Sequence, residues 1–473
     1  MERKIFNLIL DNEQLLASNY LENHSIIIAG AGSGKTTTLI KKVENIINSG
    51  VKESEILVLS FTNENVNNFI KKCKYNIEVK TFHKAAFKYV GNNYEVADDN
   101  IIDGIIDNYL NNIPTELKKR IFYIKNKKYL KFTNQKYIGL IKDESCNSIF
   151  KIIKNTCKIV KTNNINIDKI NSNKFNNDEI ILLYISKKIL SIYNKELKDN
   201  KLLDFDDIIL KATNNLKNSM YETEYKHILV DEFQDISKIR LDFLKALINR
   251  SNAILTVVGD DWQSIYRFSG SNIKIFHDFK KEFPNSKKFY ITNTYRCPKN
   301  LVKISSKFIL KNKYQTAKKL VSHNNTKSKI RKIYQLNCKN KLYYLIKKIA
   351  TNKSVLILSR NTFDIKKFIS NKLKYENNTI ILDNIKRENI KYMTLHSSKG
   401  LEADIVIILN LSSDKDGLPG NKEIELYNKI IDIKEPIKNA EDRRLFYVGL
   451  TRSKSDVFLF IDPKKPSIFI RDI

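Results

Sequence analysis

Three stretches of this chain carry residues whose types and order suit the handling of a phosphorylated ligand. Ala29-Gly30-Ala31-Gly32-Ser33-Gly34-Lys35-Thr36-Thr37 alternates glycine with small residues and closes on a lysine and two threonines. Glycines let a backbone wrap until its N–H groups face phosphate oxygens, and a helix that follows turns its positive end toward them. In such a loop Lys35 reaches the β/γ-phosphates and Thr36 holds Mg²⁺. Asp231 and Glu232 end the apolar run Ile228 to Val230. Two acids at a strand tip fit a solvated turn, but beside a phosphate loop they fit a metal-linked carboxylate and a water-activating base. The third stretch, Gly259 to Gly270 (GDDWQSIYRFSG), mixes acids, Gln263 and aromatic rings.

A γ-phosphoryl site also needs cations aimed at developing charge. Arg296 and Arg452 are candidates, both far in sequence from Lys35. Each taken alone reads equally as a surface ion pair. If both serve the site, it is completed across a cleft between two halves of the chain, which ligand binding closes and product release reopens.

The elements that must position these residues are strands alternating with helices. Apolar runs at Ser25 to Ile28, Ile56 to Leu59, Ile228 to Val230, Ile254 to Val258, Phe289 to Ile291, Val355 to Leu358, Ile405 to Leu409 and Val457 to Ile461 are separated by helical patterns. That alternation predicts an α/β protein with parallel sheets covered by helices. Residues 86–199 read differently, with apolar positions three and four apart amid Lys and Asn, and predict a mainly helical insertion.

With 473 residues the chain exceeds what one core organises. Its five cysteines are scattered, without a CxxC pair or a histidine cluster at metal-ligand spacing, which fits a reducing cytoplasm. The N-terminus is too mixed for a secretory signal, and no apolar run is long enough to cross a bilayer, so no membrane partner is expected. The net charge of +31 suits a polyanionic partner, although a composition so rich in Lys, Asn and Ile also inflates lysine everywhere.

Taken together, the ordered motifs resemble the superfamily 1 helicases of the UvrD/Rep type, with wording closest to helicase IV. Leu10-Asp11-Asn12-Glu13-Gln14 is similar to the segment whose glutamine reads adenine, and Asn293-Thr294-Tyr295-Arg296 to the one whose tyrosine stacks on adenine and whose arginine reaches the γ-phosphate. Ser60-Phe61-Thr62-Asn63 and Thr81-Phe82-His83 resemble DNA-contacting motifs, and Asp204-Phe205-Asp206-Asp207 another element of the family. Thr394 to Glu402 and Arg443 to Arg452 resemble its last two motifs.

The resemblance implies two RecA-like P-loop NTPase domains: residues 1–85 with 200–283, then 284–473, the helical insertion lying in the first. It implies ATP and Mg²⁺ as ligands, with Lys35, Asp231, Glu232, Gln263, Arg296 and Arg452 catalytic. Gln14, residues 30–37, Tyr295 and Glu402 would contact the nucleotide. Phe61, Thr62, His83, Tyr266, Phe268 and His396 would face DNA, although core packing or a satisfied polar contact is an equal fate for Phe61, Tyr266 and His396. Trp262, between Asp261 and Gln263, suggests packing rather than stacking. The activity implied is 3′ to 5′ translocation on single-stranded DNA, with single-strand/duplex junctions as substrates and a repair or nuclease partner.

Two departures qualify the resemblance. Full-size relatives carry a large accessory insertion in the second motor domain, whereas residues 361–393 leave room here only for a helix and a strand or two. Ser269 stands where many relatives have arginine. The compact second domain motivates a different reading, a DNA-sensing ATPase that regulates a partner nuclease. Within the first insertion, Lys118-Lys119-Arg120 and Lys125 to Lys131 interleave with Tyr123, Tyr129 and Phe132, a mixture suited to nucleic acid or to a solvated helix face.

Overall fold

The computed structural model describes residues 10–91, 93–126, 145–334, 338–349, 352–414, 416–420 and 425–473. Two sheets dominate it. The first has six parallel strands in the order Glu78–Thr81, Ile56–Ser60, His227–Val230, Ile254–Gly259, Ser25–Ala29 and Lys287–Ile291. Its central strands are buried at nearly every position, as parallel strands covered on both faces must be.

The second sheet has seven strands, ordered Ile330–Tyr334, Val457–Ile461, Ile405–Leu411, Val355–Ser359, Ile385–Thr394, Thr379–Leu382 and Leu373–Glu376. All pair in parallel except the last three, which form an antiparallel meander at one edge. Residues 361–393 are thus spent on a 3₁₀ turn, Thr362–Lys367, and on this extension of the sheet.

The expected boundary at 283/284 is displaced. Lys287–Ile291 pairs with Ser25–Ala29, so the first sheet runs on to Ile291. Its alternation of exposed and buried positions is that of an edge strand, and nothing in its own residues says which sheet it joins.

The insertion is helical, as expected: Asn100–Asn112, Thr115–Asn126, Ser145–Thr162 and Asn177–Asp199. Its entry and exit are clasped by a short parallel pair, Glu95–Val96 with Leu202–Leu203. Asn176 opens the longest of these helices with a capping box closed by Glu179. The insertion's core of Ile106, Ile153, Ile185 and Ile189 also takes in Leu426, Tyr427 and Ile430 from the second half. Lys429 pairs there with Glu179 at 2.7 Å. The side chains of Tyr123, Lys125 to Lys131 and Phe132 lie outside the described residues. Among the described residues no helix is long and apolar enough to cross a membrane.

Candidate nucleotide-binding site

Strand Ser25–Ala29 delivers the phosphate loop to the helix Lys35–Asn48, whose first turn holds no acid. The positive end of that helix is therefore left for an anion. Gly32 and Gly34 take left-handed backbone angles, φ +73° and +80°. Angle demands glycine at both, and at Gly32 space demands it too. A Cβ on Gly32 would lie 2.6 Å from Cβ of Arg296, and one on Gly34 would lie 2.5 Å from Nε2 of Gln14. The loop is pressed from one side by the N-terminal helix and from the other by the second half.

Two acids meet the loop from the tip of His227–Val230. Thr36 Oγ1 donates to Asp231 Oδ2 at 3.1 Å, and Lys35 Nζ lies 3.3 Å from Glu232 Oε1. Glu232 sits at φ +57°, a conformation a non-glycine residue holds only when its surroundings impose it. Gln234 donates to its second oxygen at 2.6 Å, and Lys399 from the second half lies 3.8 Å from the same atom. Burial works against the Glu232 carboxylate, yet Lys35 and then Lys399 hold its pKa below the usual range, so it stays ionised. Burial and the neighbouring Glu232 push Asp231 upward against Lys35 and Thr36. A hydroxyl paired with a carboxylate is a hard-oxygen set that fits Mg²⁺, which takes few protein ligands beside phosphate and water.

The arginines converge on the same pocket from the other half. Arg452, 1% exposed, donates from Nη2 to Gln263 Oε1 at 2.7 Å, while its other nitrogens reach the carbonyls of Val448 and Leu401. Burial, and then the nearby Arg296 cation, lower its pKa to about 10, so it remains charged at neutral pH. Gln263 is fixed in turn by donating to Asp260 Oδ2 at 2.6 Å. Arg296 lies beside the loop, but its Nε donates to Glu402 Oε2 at 2.8 Å. Arg296 and Glu402, both expected to touch a nucleotide, touch each other in this arrangement. Tyr295 N and Thr294 Oγ1 donate to the loop carbonyls of Gly32 (3.1 Å) and Ala31 (2.7 Å).

Gln14 lies on the helix Asn12–Asn19, which opens with a capping box between Asp11 and Gln14 itself. Its Nε2 donates to the carbonyl of Ser33 at 2.9 Å, placing the amide at the rim of the loop. Tyr295, 47% exposed, donates its hydroxyl to Asp11 Oδ2 at 2.7 Å. Thr37 is half-buried in the first turn of the loop helix.

The six residues expected to face nucleic acid fall into two clusters. Tyr266, Phe268 and His396 form one: Phe268 and His396 meet edge-on at 5.5 Å, Tyr266 lies 6.1 Å from Phe268, and Lys399 Nζ stands 4.9 Å above the Tyr266 ring. All three rings are half-buried. In the other, Phe61 packs on Phe82 with the Arg240 guanidinium above it, His83 meets the exposed Phe205 at 5.2 Å, and Thr62 caps the helix Asn63–Lys72. Burial, reinforced by nearby cations, lowers both His83 and His396 to about 4, so both rings are neutral at pH 7. Trp262 is fully buried, edge-on to Tyr447, and donates to the carbonyl of Thr316.

Comparison with known proteins matches residues 10–284 to the UvrD/REP helicase N-terminal domain and residues 340–462 to the UvrD-like helicase C-terminal domain. This chain belongs to the UvrD/Rep helicase family. It is 32% identical to DNA helicase IV of Escherichia coli (strain K12) over 60% of this chain and 40% of that protein. It is 26% identical to the ATP-dependent DNA helicase Rep of Buchnera aphidicola subsp. Baizongia pistaciae over 85% of this chain and 58% of that one. A probable DNA helicase of Mycoplasma pneumoniae is 25% identical over 95% of the chain and 83% of its own length. The chain spans about half the length of the first two of these UvrD/Rep relatives.

Two residues join this UvrD/Rep site that sequence reasoning missed. Lys399 bridges to Asp235 and donates to the carbonyl of Gln263 at 2.9 Å. It stands inside a motif read for its histidine and glutamate. Lys318 is wholly buried, its Nζ 2.9 Å from Asp261 Oδ1, 2.8 Å from the carbonyl of Ala29 and in contact with Asp260, with the Trp262 ring 4.6 Å away. Burial disfavours its charge, but the two aspartates raise its pKa overall, and it stays protonated. In a chain this rich in lysine, nothing in the sequence distinguishes Lys318 from a surface residue.

Proposed function

We propose that this chain is an ATP-dependent translocase or helicase on single-stranded DNA, moving 3′ to 5′, that hydrolyses ATP in the cleft between its halves. The observation that carries the reading is the joining of Arg452 to Gln263 across that cleft, beside Lys35 and Glu232. Neither half holds the full set of groups a γ-phosphoryl transfer needs, so turnover depends on how the halves meet.

Lys35 and the loop amides bind the phosphates, and Gln14 with Tyr295 holds the base. Glu232, kept ionised by Lys35 and Lys399, accepts the proton of the attacking water. Arg452 and Arg296 oppose the charge that develops on the γ-phosphoryl oxygens. Arg296 meets Glu402 through Nε, so the carboxylate orients the guanidinium while its terminal nitrogens serve the phosphoryl oxygens. Mg²⁺, when bound at Thr36 and Asp231, would neutralise the phosphates. Gln263 reports closure to the strand-facing rings, because it lies three residues before Tyr266 in one continuous segment.

Single-stranded DNA is the track this reading favours. The cluster Tyr266, Phe268 and His396 draws rings from both halves, and the net charge of +31 suits a polyanion. The small edge extension at 361–393 favours a second reading, a DNA-stimulated ATPase that controls a nuclease or repair partner in the cytoplasm without strong unwinding of its own. ATP hydrolysis and strand displacement, measured side by side on 3′-tailed, 5′-tailed and blunt duplexes at fixed salt, test both. Displacement on 3′ tails supports the first reading. DNA-stimulated hydrolysis without displacement supports the second, and displacement confined to 5′ tails overturns the polarity.

A further inference from the structure

The Tyr295 ring is held from three directions. Its hydroxyl donates to Asp11 Oδ2 at 2.7 Å, and its backbone N–H donates to the carbonyl of Gly32. One ring face is covered by His323, nearly parallel (26°) at 5.3 Å between centroids. His323 comes from Val321–Asn324, a strand paired in parallel with Asn293–Pro298, on which Tyr295 itself lies.

Asn293 closes the network. Its Nδ2 donates to the same Asp11 oxygen at 3.1 Å, which leaves its Oδ1 as the acceptor 3.1 Å from His323 Nε2. Nε2 must therefore carry the imidazole hydrogen. Asp11 also accepts from Gln14 N, and Gln14 reaches the phosphate loop at Ser33. A chain of contacts thus runs from the His323 ring to the loop.

We propose that His323 is a positioning residue that fixes Tyr295 as the platform for a nucleotide's base and thereby sets affinity for adenine nucleotides. The inference rests on the reading of this cleft as a nucleotide site. An exposed tyrosine can turn either face to solvent, and a base gains from stacking only what remains after the ring has been immobilised. With one face under His323 and the hydroxyl tied to Asp11, a single face is left, oriented by the same Asp11 that caps the helix carrying Gln14. The ring of His323 supplies the support, and its hydrogen bond to Asn293 sets its tilt.

Three variants at this exposed position separate ring from hydrogen bond: His323→Ala, His323→Phe and His323→Gln. ADP binding by calorimetry is the primary readout, with KM and kcat for ATP and GTP beside it. His323→Ala is expected to raise the Kd for ADP by roughly three- to ten-fold, the range of an aromatic pair. KM for ATP should rise with it, kcat should hold, and the preference for ATP over GTP should narrow. His323→Phe should stay near the parent. A Kd for His323→Ala within two-fold of the parent, or a His323→Gln that behaves as the parent while His323→Phe fails, overturns the inference. Lys35→Ala serves as control: unchanged hydrolysis there would sink the nucleotide-site reading itself, whereas its loss beside an unaffected His323→Ala sinks only the role of His323.

Discussion

Arg452 and Gln263, 189 residues apart in sequence, share a buried hydrogen bond of 2.7 Å that crosses from one sheet's motifs to the other's. Gln263 has its second polar atom tied to Asp260, so the arginine meets an acceptor already held in place. Under the proposed function, a group so placed would convert a shift between the halves into a shift of charge beside the phosphate loop.

Arg452→Ala should therefore depress ATP hydrolysis by on the order of 10³-fold or more while leaving ADP binding within a few-fold, as measured by steady-state hydrolysis and calorimetry. It also strands Gln263 Oε1, a buried acceptor, at a cost of about 1–3 kcal/mol in denaturant unfolding. A double-mutant cycle with Gln263→Ala should show coupling in hydrolysis. Strict additivity would mean that the contact carries no message.

Glu232→Gln keeps the shape of the side chain and removes the base. Hydrolysis is expected to fall by roughly 10²- to 10⁴-fold with nucleotide binding preserved. Retention of more than a tenth of the parental rate would place the base elsewhere.

Lys318→Met leaves Asp260 and Asp261 buried without their cation, and breaking a buried pair in this way costs about 3–5 kcal/mol. Denaturant titration should show that loss. Adding Asp260→Asn and Asp261→Asn to Lys318→Met should recover part of it. If the single change leaves the midpoint where it was, the buried cation contributes no net stability.

His227 opens a core strand, and burial, reinforced by Lys42 and Lys226, lowers its pKa from 6.5 to about 4. Between those values the unfolded chain binds more protons than the native one, so stability is full above pH 6.5 and declines as the pH falls toward 4. The contribution of this side chain is on the order of 3 kcal/mol at most. His227→Leu should flatten the pH dependence of the unfolding free energy across that window, and an unchanged slope would refute the assignment.

Phe268→Ala should weaken single-strand binding by about 1–3 kcal/mol with little change in its salt dependence, because it removes stacking and no phosphate contact. Fluorescence anisotropy at several salt concentrations reads both quantities. An altered slope with unchanged affinity at low salt would count against base stacking.

Much of the fold is written in the apolar runs. Strands such as Val355–Ser359 and Ile405–Leu411 are buried along their whole length, so they stand out as unbroken aliphatic stretches. Glu78–Thr81 escapes such a reading because its first three positions are only half-buried and its residues are mostly polar. Ile330–Tyr334 escapes it for the same reason, as an edge strand. At the site, residue types and order pointed to the loop, the paired acids and the arginines. The pairing of Arg296 with Glu402 was out of reach, because both carry strong expectations of other partners. Lys318 was hidden by composition, since only its burial separates it from the other lysines.

The helix Glu425–Ile430 belongs to the chain's second half, yet it is packed among helices that spring from the first. The insertion is accordingly moored at both banks of the cleft. Under the proposed function, a hinge swing would either carry these helices along as a rigid lever or drag Leu426, Tyr427 and Ile430 out into water, so the insertion would act as a tether that limits how far the jaws can part.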